Sequence, residues 1–304
     1  MTTAKQRLTA LAVSAAAALA LAGCGTGDPL DGGSTESGGG SIVIGSQDYY
    51  SNEIIAELYA QALEAKGFEV DRQLRIGQRE VYLPEIEAGN IDLFPEYTGN
   101  LLQALDAEAT ATKSDEVYEA LTEALPDGVR VLDQSEASDQ DSYNVTAEFA
   151  KEHGLTEIGD LADAGVPLVL GGNSELETRP YGPEGLKSVY GVEVSFTPIE
   201  DSGGPLTVKA LVDGQVQLAD IYSADPSIAA NDFVTLEDPE GLFLSSNVVP
   251  IASDRITDEM AEVIDAVSAA LTADDLIALN ARSVDDQESA ADIAAAWLEE
   301  QGLV

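Results

Sequence analysis

Residues 41–102 alternate short apolar strands with helices, and this alternation constrains the fold more than any other feature of the chain. Residues 42–44 form a first predicted strand, and the helix after it carries its apolar residues on one face. A second strand, a second helix and a third predicted strand at residues 91–94 follow with short connections. Such alternation predicts an α/β fold with a mostly parallel sheet, which binds ligands beyond the carboxyl ends of its strands.

Two polar segments follow strands in this region. Gln47-Asp48-Tyr49 comes after the first strand, and residues 95–100 (PEYTGN) come at the end of the third. Because the carboxyl ends of parallel strands meet at one edge of a sheet, both segments are expected at the same edge. The sequence therefore predicts a polar binding site that carries tyrosines.

Three segments carry a resemblance to a known family: the GSQD opening at residues 45–48, the PEYTGN segment, and DIYSAD at residues 220–225. They resemble the quaternary-amine substrate-binding proteins of ABC importers, the receptors for glycine betaine, choline and carnitine. The resemblance covers residues 41–304. It implies a type II periplasmic-binding-protein fold, in which two α/β lobes are joined by two crossings with the ligand cleft between them. We expect lobe 1 at 41–140 and 245–304, and lobe 2 at 141–244.

The N-terminus predicts export and lipidation. Lys5 and Arg7 precede an apolar run of 15 residues at 8–22, which is too short to span a bilayer comfortably and is typical of a secretory signal. Small residues directly before Cys24 resemble a bacterial lipobox, which implies that residues 1–23 are removed and Cys24 receives a lipid. The alternative is that Cys24 is an incidental thiol. Residues 24–40, rich in Gly and Ser, predict a flexible tether. We therefore expect a protein anchored at the extracellular face of the cytoplasmic membrane.

The formal charge of −42 argues against nucleic acid or anionic lipid as a partner. It favours cationic ligands, although acidity that only keeps a surface protein soluble is the simpler explanation. One histidine and one cysteine provide no Ser-His-Asp, Cys-His or zinc constellation. We therefore predict that the protein is not an enzyme and has no cofactor or metal. The resemblance implies a monomer with a small quaternary amine, an ABC permease and an ATPase as partners.

The resemblance also implies a ligand site. Tyr97, Tyr143 and Tyr222 match tyrosines that form a cage around the ammonium, and the main-chain oxygen of Asp141 matches a position that faces it. Arg179 matches the arginine that binds a betaine carboxylate, for which a planar guanidinium is suited, so a carboxylate-bearing amine is expected to bind better than choline. The alternatives are core packing for the tyrosines and a surface ion pair for Arg179.

The chain departs from the family pattern at two positions. Gln47 stands where relatives often have a lysine, and Ser246 stands where a fourth cage aromatic is expected. Asn100 and Asn247 are further predicted ligand contacts. The candidates for the missing wall are Tyr49, Tyr50 and Phe243.

Three functions stay open on the sequence. The first is a receptor for glycine betaine, carnitine or choline that delivers its ligand to a permease. The second keeps this fold and role but binds another betaine-like or an aromatic solute. The third is a surface lipoprotein with an enzymatic or adhesive role.

Overall fold

A computed structural model describes residues 40–304. The predicted signal sequence, Cys24 and nearly all of the predicted tether lie outside the described residues. None of the helices in residues 40–304 is long and apolar enough to cross a membrane.

The described chain has three consecutive parts. The first contains β1 (Ile42–Gly45), α1 (Tyr50–Ala65), β2 (Val70–Gln73), α2 (Arg79–Glu87), β3 (Leu93–Tyr97), α3 (Thr98–Leu105), α4 (Ser114–Ala124) and β4 (Val129–Val131). The second contains β5 (Tyr143–Thr146), α5 (Ala147–His153), β6 (Val169–Gly172), α6 (Pro183–Tyr190), β7 (Ser195–Pro198), α7 (Pro205–Val212), β8 (Leu218–Asp220), α8 (Ser227–Ala230) and β9 (Phe233–Thr235), with 3-10 helices at Ile158–Asp163 and Ser174–Thr178. The third contains β10 (Val248–Ser253), α9 (Asp258–Ala270), α10 (Ala273–Val284) and α11 (Ala290–Gln301).

The first and third parts build one five-stranded sheet, and we call this unit lobe 1. Its strand order is β2-β1-β3-β10-β4. β1 runs parallel to β2 and β3, as the alternating pattern predicts. β10 runs antiparallel to both β3 and β4, because it belongs to the segment that returns from the other sheet.

The second part builds a separate five-stranded sheet of order β7-β6-β8-β5-β9, and we call this unit lobe 2. The predicted two-lobed α/β class is confirmed. The chain passes between the sheets twice, from β4 to β5 and from β9 to β10, and the predicted boundaries at 140/141 and 244/245 fall in these connections. The two connections lie side by side: the Val248 N–H donates to the Ala137 carbonyl at 2.9 Å, and the Ser138 hydroxyl donates to the Ser246 carbonyl at 2.6 Å.

Each lobe has its own apolar core. In lobe 1, α1 is buried between the sheet and the C-terminal helices, so that Ile54, Ile55 and Leu58 are fully inaccessible to solvent. Trp297 of α11 is 4% exposed and belongs to the same core. Burying a side chain of this size contributes about 1.5–3 kcal/mol. These cores hold the strand ends in fixed positions, and the strand ends carry the polar residues of the site.

Candidate ligand-binding site

A small cavity lies between the lobes, beyond the carboxyl ends of strands from both sheets. Gln47 after β1 and Tyr97 at the end of β3 line it from lobe 1. Asn173 after β6 and Asp220 at the end of β8 line it from lobe 2. Its volume is about 40 Å³. The lobes are therefore nearly closed on each other in this structure.

Four tyrosines line the cavity: Tyr49, Tyr97, Tyr181 and Tyr222. The Tyr49 hydroxyl donates to the Tyr97 hydroxyl at 2.6 Å, and the Tyr49 ring meets the Tyr222 ring edge-to-face with centroids 5.0 Å apart. Burial raises the pKa of Tyr49 and of Tyr97. These hydroxyls therefore stay protonated at neutral pH and present neutral ring faces to the cavity.

Four carboxyl groups line the same cavity: Asp139, Asp141, Glu175 and Asp220. Burial raises the pKa of Asp139 to about 7, and the nearby Asp225 and Asp141 carboxylates act in the same direction. Burial also raises the pKa of Asp220, and the adjacent Asp141 raises it further. Carboxyl groups this crowded and buried favour a cation as the species that fills the cavity.

Two arginines line the cavity, and each is held by a glutamate. Arg179 donates from Nη1 to Glu80 at 2.6 Å, which joins lobe 2 to lobe 1. Arg79 donates from Nε and Nη2 to Glu96 at 2.9 and 3.0 Å, and both of these side chains are buried. An ion pair, the alternative role for Arg179, is thus present in this structure. Glu80 is 58% exposed, so this ion pair is only partly shielded from water.

Asn100 connects the lobes at the cavity. Its amide donates to the Asp141 carboxylate and, at 3.2 Å, to the Tyr181 hydroxyl. Its Oδ1 accepts from the Ser246 hydroxyl at 2.6 Å. Asn100 therefore orients Asp141 and Tyr181 across the cleft.

Ser246, at the position where the family pattern predicts a fourth aromatic, has a structural role. Its hydroxyl oxygen accepts the N–H groups of Gly99 and Asn100 at 3.1 and 3.2 Å. These are among the first N–H groups of α3, which have no partner inside the helix. Ser246 thus caps α3 from the second connection, and Tyr49 and Tyr181 provide the remaining aromatic walls of the cavity.

Of the eight predicted ligand residues, six line the cavity: Gln47, Tyr97, Asn100, Asp141, Arg179 and Tyr222. Tyr143 does not, because it is fully buried behind the cavity, with its hydroxyl donating to the Tyr181 carbonyl and its ring against Phe243. Asn247 does not either. Its amide donates to the Ser135 carbonyl at 3.0 Å and its Oδ1 accepts from Ser114, so it fastens the two connections together.

The cavity also has lining residues outside the predicted ligand set, among them Tyr49, Arg79, Asp139, Tyr181 and Asp220. Tyr49 is one of the three candidates for the missing wall, and Asp220 is the first residue of the DIYSAD segment. Both follow or end a strand, so the expected position of the site at the strand ends covers them. Asp139 lies in the first connection. Arg79 and Tyr181 reach the cavity only through packing of distant segments, and the sequence holds no local sign of this.

A known family matches almost the whole described chain. The family model, described as the substrate binding domain of ABC-type glycine betaine transport systems, matches residues 40–300. The chain belongs to this family. The predicted family resemblance is thereby confirmed, and the family's described role is binding of a transported substrate.

Similar proteins span nearly the whole family domain. The glycine betaine-binding protein YehZ of Escherichia coli is 23% identical over 276 residues, covering 86% of this chain and 90% of that protein. A glycine-betaine-binding protein of Pseudomonas aeruginosa is 24% identical over 283 residues, covering 87% and 89%. A crystal structure of a glycine betaine/carnitine/choline ABC transporter protein is 21% identical, covers 86% of this chain and 99% of that one, and superposes with a TM-score of 0.71. At this identity the superposition shows a shared fold.

Proposed function

We propose that this protein is the extracellular receptor of an ABC importer and that it binds a quaternary amine such as glycine betaine, carnitine or choline. The observation that carries the proposal is the cavity between the lobes, where four tyrosines meet four carboxyl groups. In this proposal the loaded protein delivers its ligand to a permease that is driven by an ATPase. The names of its relatives and the family description support the ligand class.

The chemistry of the cavity suits a trimethylammonium group. Such a group cannot donate a hydrogen bond, so ring faces and nearby carboxylates are the contacts available to it. Each ring face contributes about 0.5–2 kcal/mol, depending on how fully water is excluded. Three or four rings together with a carboxylate contact can therefore reach the roughly 8 kcal/mol that micromolar binding requires.

In this proposal the lobes separate to admit the ligand. Tyr49 and Tyr222 come from different lobes, and their rings touch where the ammonium would sit. The Tyr50 hydroxyl also crosses the cleft to Asp225 at 2.6 Å. We infer that the lobes part at these contacts and close again around the ligand, as in hinge-type binding proteins.

The carboxylate of a betaine would lie at the arginine side of the cavity. Arg79 and Arg179 both line the cavity, and so does Gln47. In this proposal the ligand carboxylate competes with the exposed Glu80 for Arg179, while Arg79 stays on the buried Glu96. Bonds from a guanidinium to a carboxylate are roughly twice as strong as neutral hydrogen bonds.

Replacing Tyr222 with alanine is expected to weaken binding at least about tenfold, because a desolvated ring wall is removed. Tyr222→Phe is expected to cost much less, since the ring face remains. Isothermal titration of glycine betaine, carnitine and choline into each variant measures this. Tyr190→Ala is the matched control, because Tyr190 lies on α6 outside the cavity. Unchanged affinity in Tyr222→Ala and Tyr97→Ala would remove the tyrosines from the site.

We also propose that Cys24 carries a lipid that holds the protein on the outer face of the cytoplasmic membrane. The apolar run and the small residues before Cys24 support this. Cys24→Ala is expected to move the protein from the membrane fraction to the soluble or secreted fraction. Retention of that variant in membranes after a high-salt wash would contradict lipidation.

A further inference from the structure

Three aspartates crowd one small cavity. Asp139, Asp141 and Asp220 are 5%, 9% and 5% exposed, and all three line the space between the lobes. The two arginines that line it are bound to Glu96 and Glu80. With all three aspartates ionised, the cavity would hold more negative charge than one bound ammonium can balance, and buried charge without a partner is costly.

Two of these carboxyl groups lie close together. The Ser142 N–H, next in the chain to Asp141, donates to Asp220 Oδ1 at 3.2 Å, and burial together with Asp141 raises the pKa of Asp220. Two buried carboxyl groups this close favour a state in which one of them is protonated. The other ionisable groups that act on Asp220 or are acted on by it include Glu175, Tyr143, Tyr181 and Tyr222, none of which is a cation. The arginines of the cavity are already paired with Glu96 and Glu80.

Asp139 is in a similar position on the lobe 1 side. Its Oδ1 accepts the Ala224 N–H at 3.0 Å. The ionisable groups around it are Asp141, Asp225, Tyr49, Tyr50 and Tyr97, and again no cation is among them. Burial raises its pKa to about 7. The cluster therefore holds protons at neutral pH that an incoming positive charge can displace.

Gln47 is an independent sign that a ligand completes this cavity. Its side chain is 6% exposed and lines the cavity, yet its amide group makes no hydrogen bond with any residue in the part of the chain that the structure describes. The Gln47 amide is therefore available to an oxygen or donor group of a ligand in the cavity.

We propose that a bound ammonium takes the place of a proton in the Asp139–Asp141–Asp220 cluster, so that the cavity exchanges a cation for a proton. This inference rests on the proposed function, which it extends to the coupling between ligand and protons. The displaced proton leaves to solvent, and the bound state keeps an ion pair between the ammonium and a carboxylate. Acidification then returns the proton and releases the ligand.

The direction of the pH dependence follows from linkage. Because binding releases protons, affinity rises with pH wherever the free cluster is protonated. Below about pH 7 we expect an increase in affinity approaching about tenfold per pH unit for each proton displaced. Above that range Asp139 is already ionised, so its contribution to the pH dependence levels off.

Calorimetric titration with choline chloride and with glycine betaine tests this directly. Neither ligand gains or loses a proton near neutral pH, so any proton comes from the protein. At about pH 6.5, heats measured in phosphate and in Bis-Tris are expected to differ by the difference between the two buffers' ionisation heats for about one proton per ligand bound. The affinity is then measured between about pH 5.5 and 7.5.

Two variants test whether the proton released on binding comes from the aspartate cluster. Asp139→Asn and Asp220→Asn are each expected to reduce proton release by at least about half, because a neutral amide has no proton to give. Asp115→Asn, an exposed position on α4, is the matched control and should release as many protons as the wild type. Thermal melting checks that each variant is folded.

The outcomes separate the two proposals. Binding with equal heats in both buffers and a constant affinity across this pH range would overturn the cation-for-proton exchange alone. Proton release that persists unchanged in both cluster variants would overturn it as well. A wild-type protein that binds neither amine would overturn the proposed function, and this inference with it.

Discussion

Replacing Arg79 with alanine is expected to lower the free energy of unfolding by about 3–5 kcal/mol, because it leaves a buried carboxylate without its cation. Glu96 is fully buried and accepts both guanidinium bonds of Arg79, together with the Tyr82 hydroxyl and the Tyr97 N–H. A loss of this size is a large fraction of the stability of an ordinary domain. Urea unfolding followed by circular dichroism measures it.

Arg282→Ala is the matched control. Arg282 pairs with Glu288 at the end of α10, where both side chains are partly open to solvent. Its removal is expected to cost less than about 1 kcal/mol. The double variant Arg79→Met/Glu96→Leu should lose less unfolding free energy than Arg79→Met and Glu96→Leu lose in sum, because no charge is then left buried. If Arg79→Ala and Arg282→Ala lower the free energy of unfolding by equally small amounts, the Arg79–Glu96 pair does not stabilise the fold as expected.

Replacing Gly182 with alanine is expected to weaken amine binding by about a hundredfold, because the added methyl group displaces the loop that lines the cavity. Gly182 has φ −79°, which is outside the left-handed region that favours glycine. The conflict is steric: a Cβ at this position would lie 2.0 Å from the Leu176 carbonyl oxygen. The segment between β6 and α6 must therefore move, and it carries Arg179 and Tyr181.

Titration calorimetry with glycine betaine, together with thermal melting, measures both effects of Gly182→Ala. Overpacking of this kind typically costs about 1–3 kcal/mol of stability, so we expect the variant to fold. Gly159→Ala is the control in the same lobe. There the nearest atom to an added Cβ is Tyr190 Cδ1 at 3.4 Å, an ordinary contact. Wild-type affinity in Gly182→Ala would show that the loop tolerates the displacement.

The strand ends explain why much of the site is readable from the sequence. Tyr97 and Asn100 follow β3 directly, and the parallel arrangement of β1 and β3 brings Gln47 beside them. Periodicity identifies a strand, and parallel pairing fixes the edge at which its polar neighbours emerge. Both steps are local, so they need no knowledge of distant contacts.

Tyr143 and Tyr181 show where this reasoning stops. A strand residue points to one face or the other, and Tyr143 of β5 points into the lobe 2 core. Tyr181 lies in an irregular segment, and its position depends on the carbonyl that Tyr143 contacts. Neither orientation is set by residues close in sequence. Family resemblance suggests Tyr143 by position, whereas packing places Tyr181 in the cavity instead.

Arg79 shows a second limit. Arg79 is the first residue of α2, and nothing in the sequence of this helix indicates that the arginine is buried. It is buried because Glu96, at the end of β3, lies underneath α2 once the sheet has formed. Ser246 is similar, since its hydroxyl caps a helix that lies 147 residues earlier in the chain.

The position of β10 has a consequence for the order in which the lobes can be finished as the chain emerges from the ribosome. β10 lies between β3 and β4, so the lobe 1 sheet has a gap in its middle until residues 248–253 are available. Lobe 2 needs no residue after β9 to complete its own sheet. Because the chain is synthesised from its N-terminus, lobe 2 can complete its sheet first. Lobe 1, which contains both ends of the described chain, completes its sheet last.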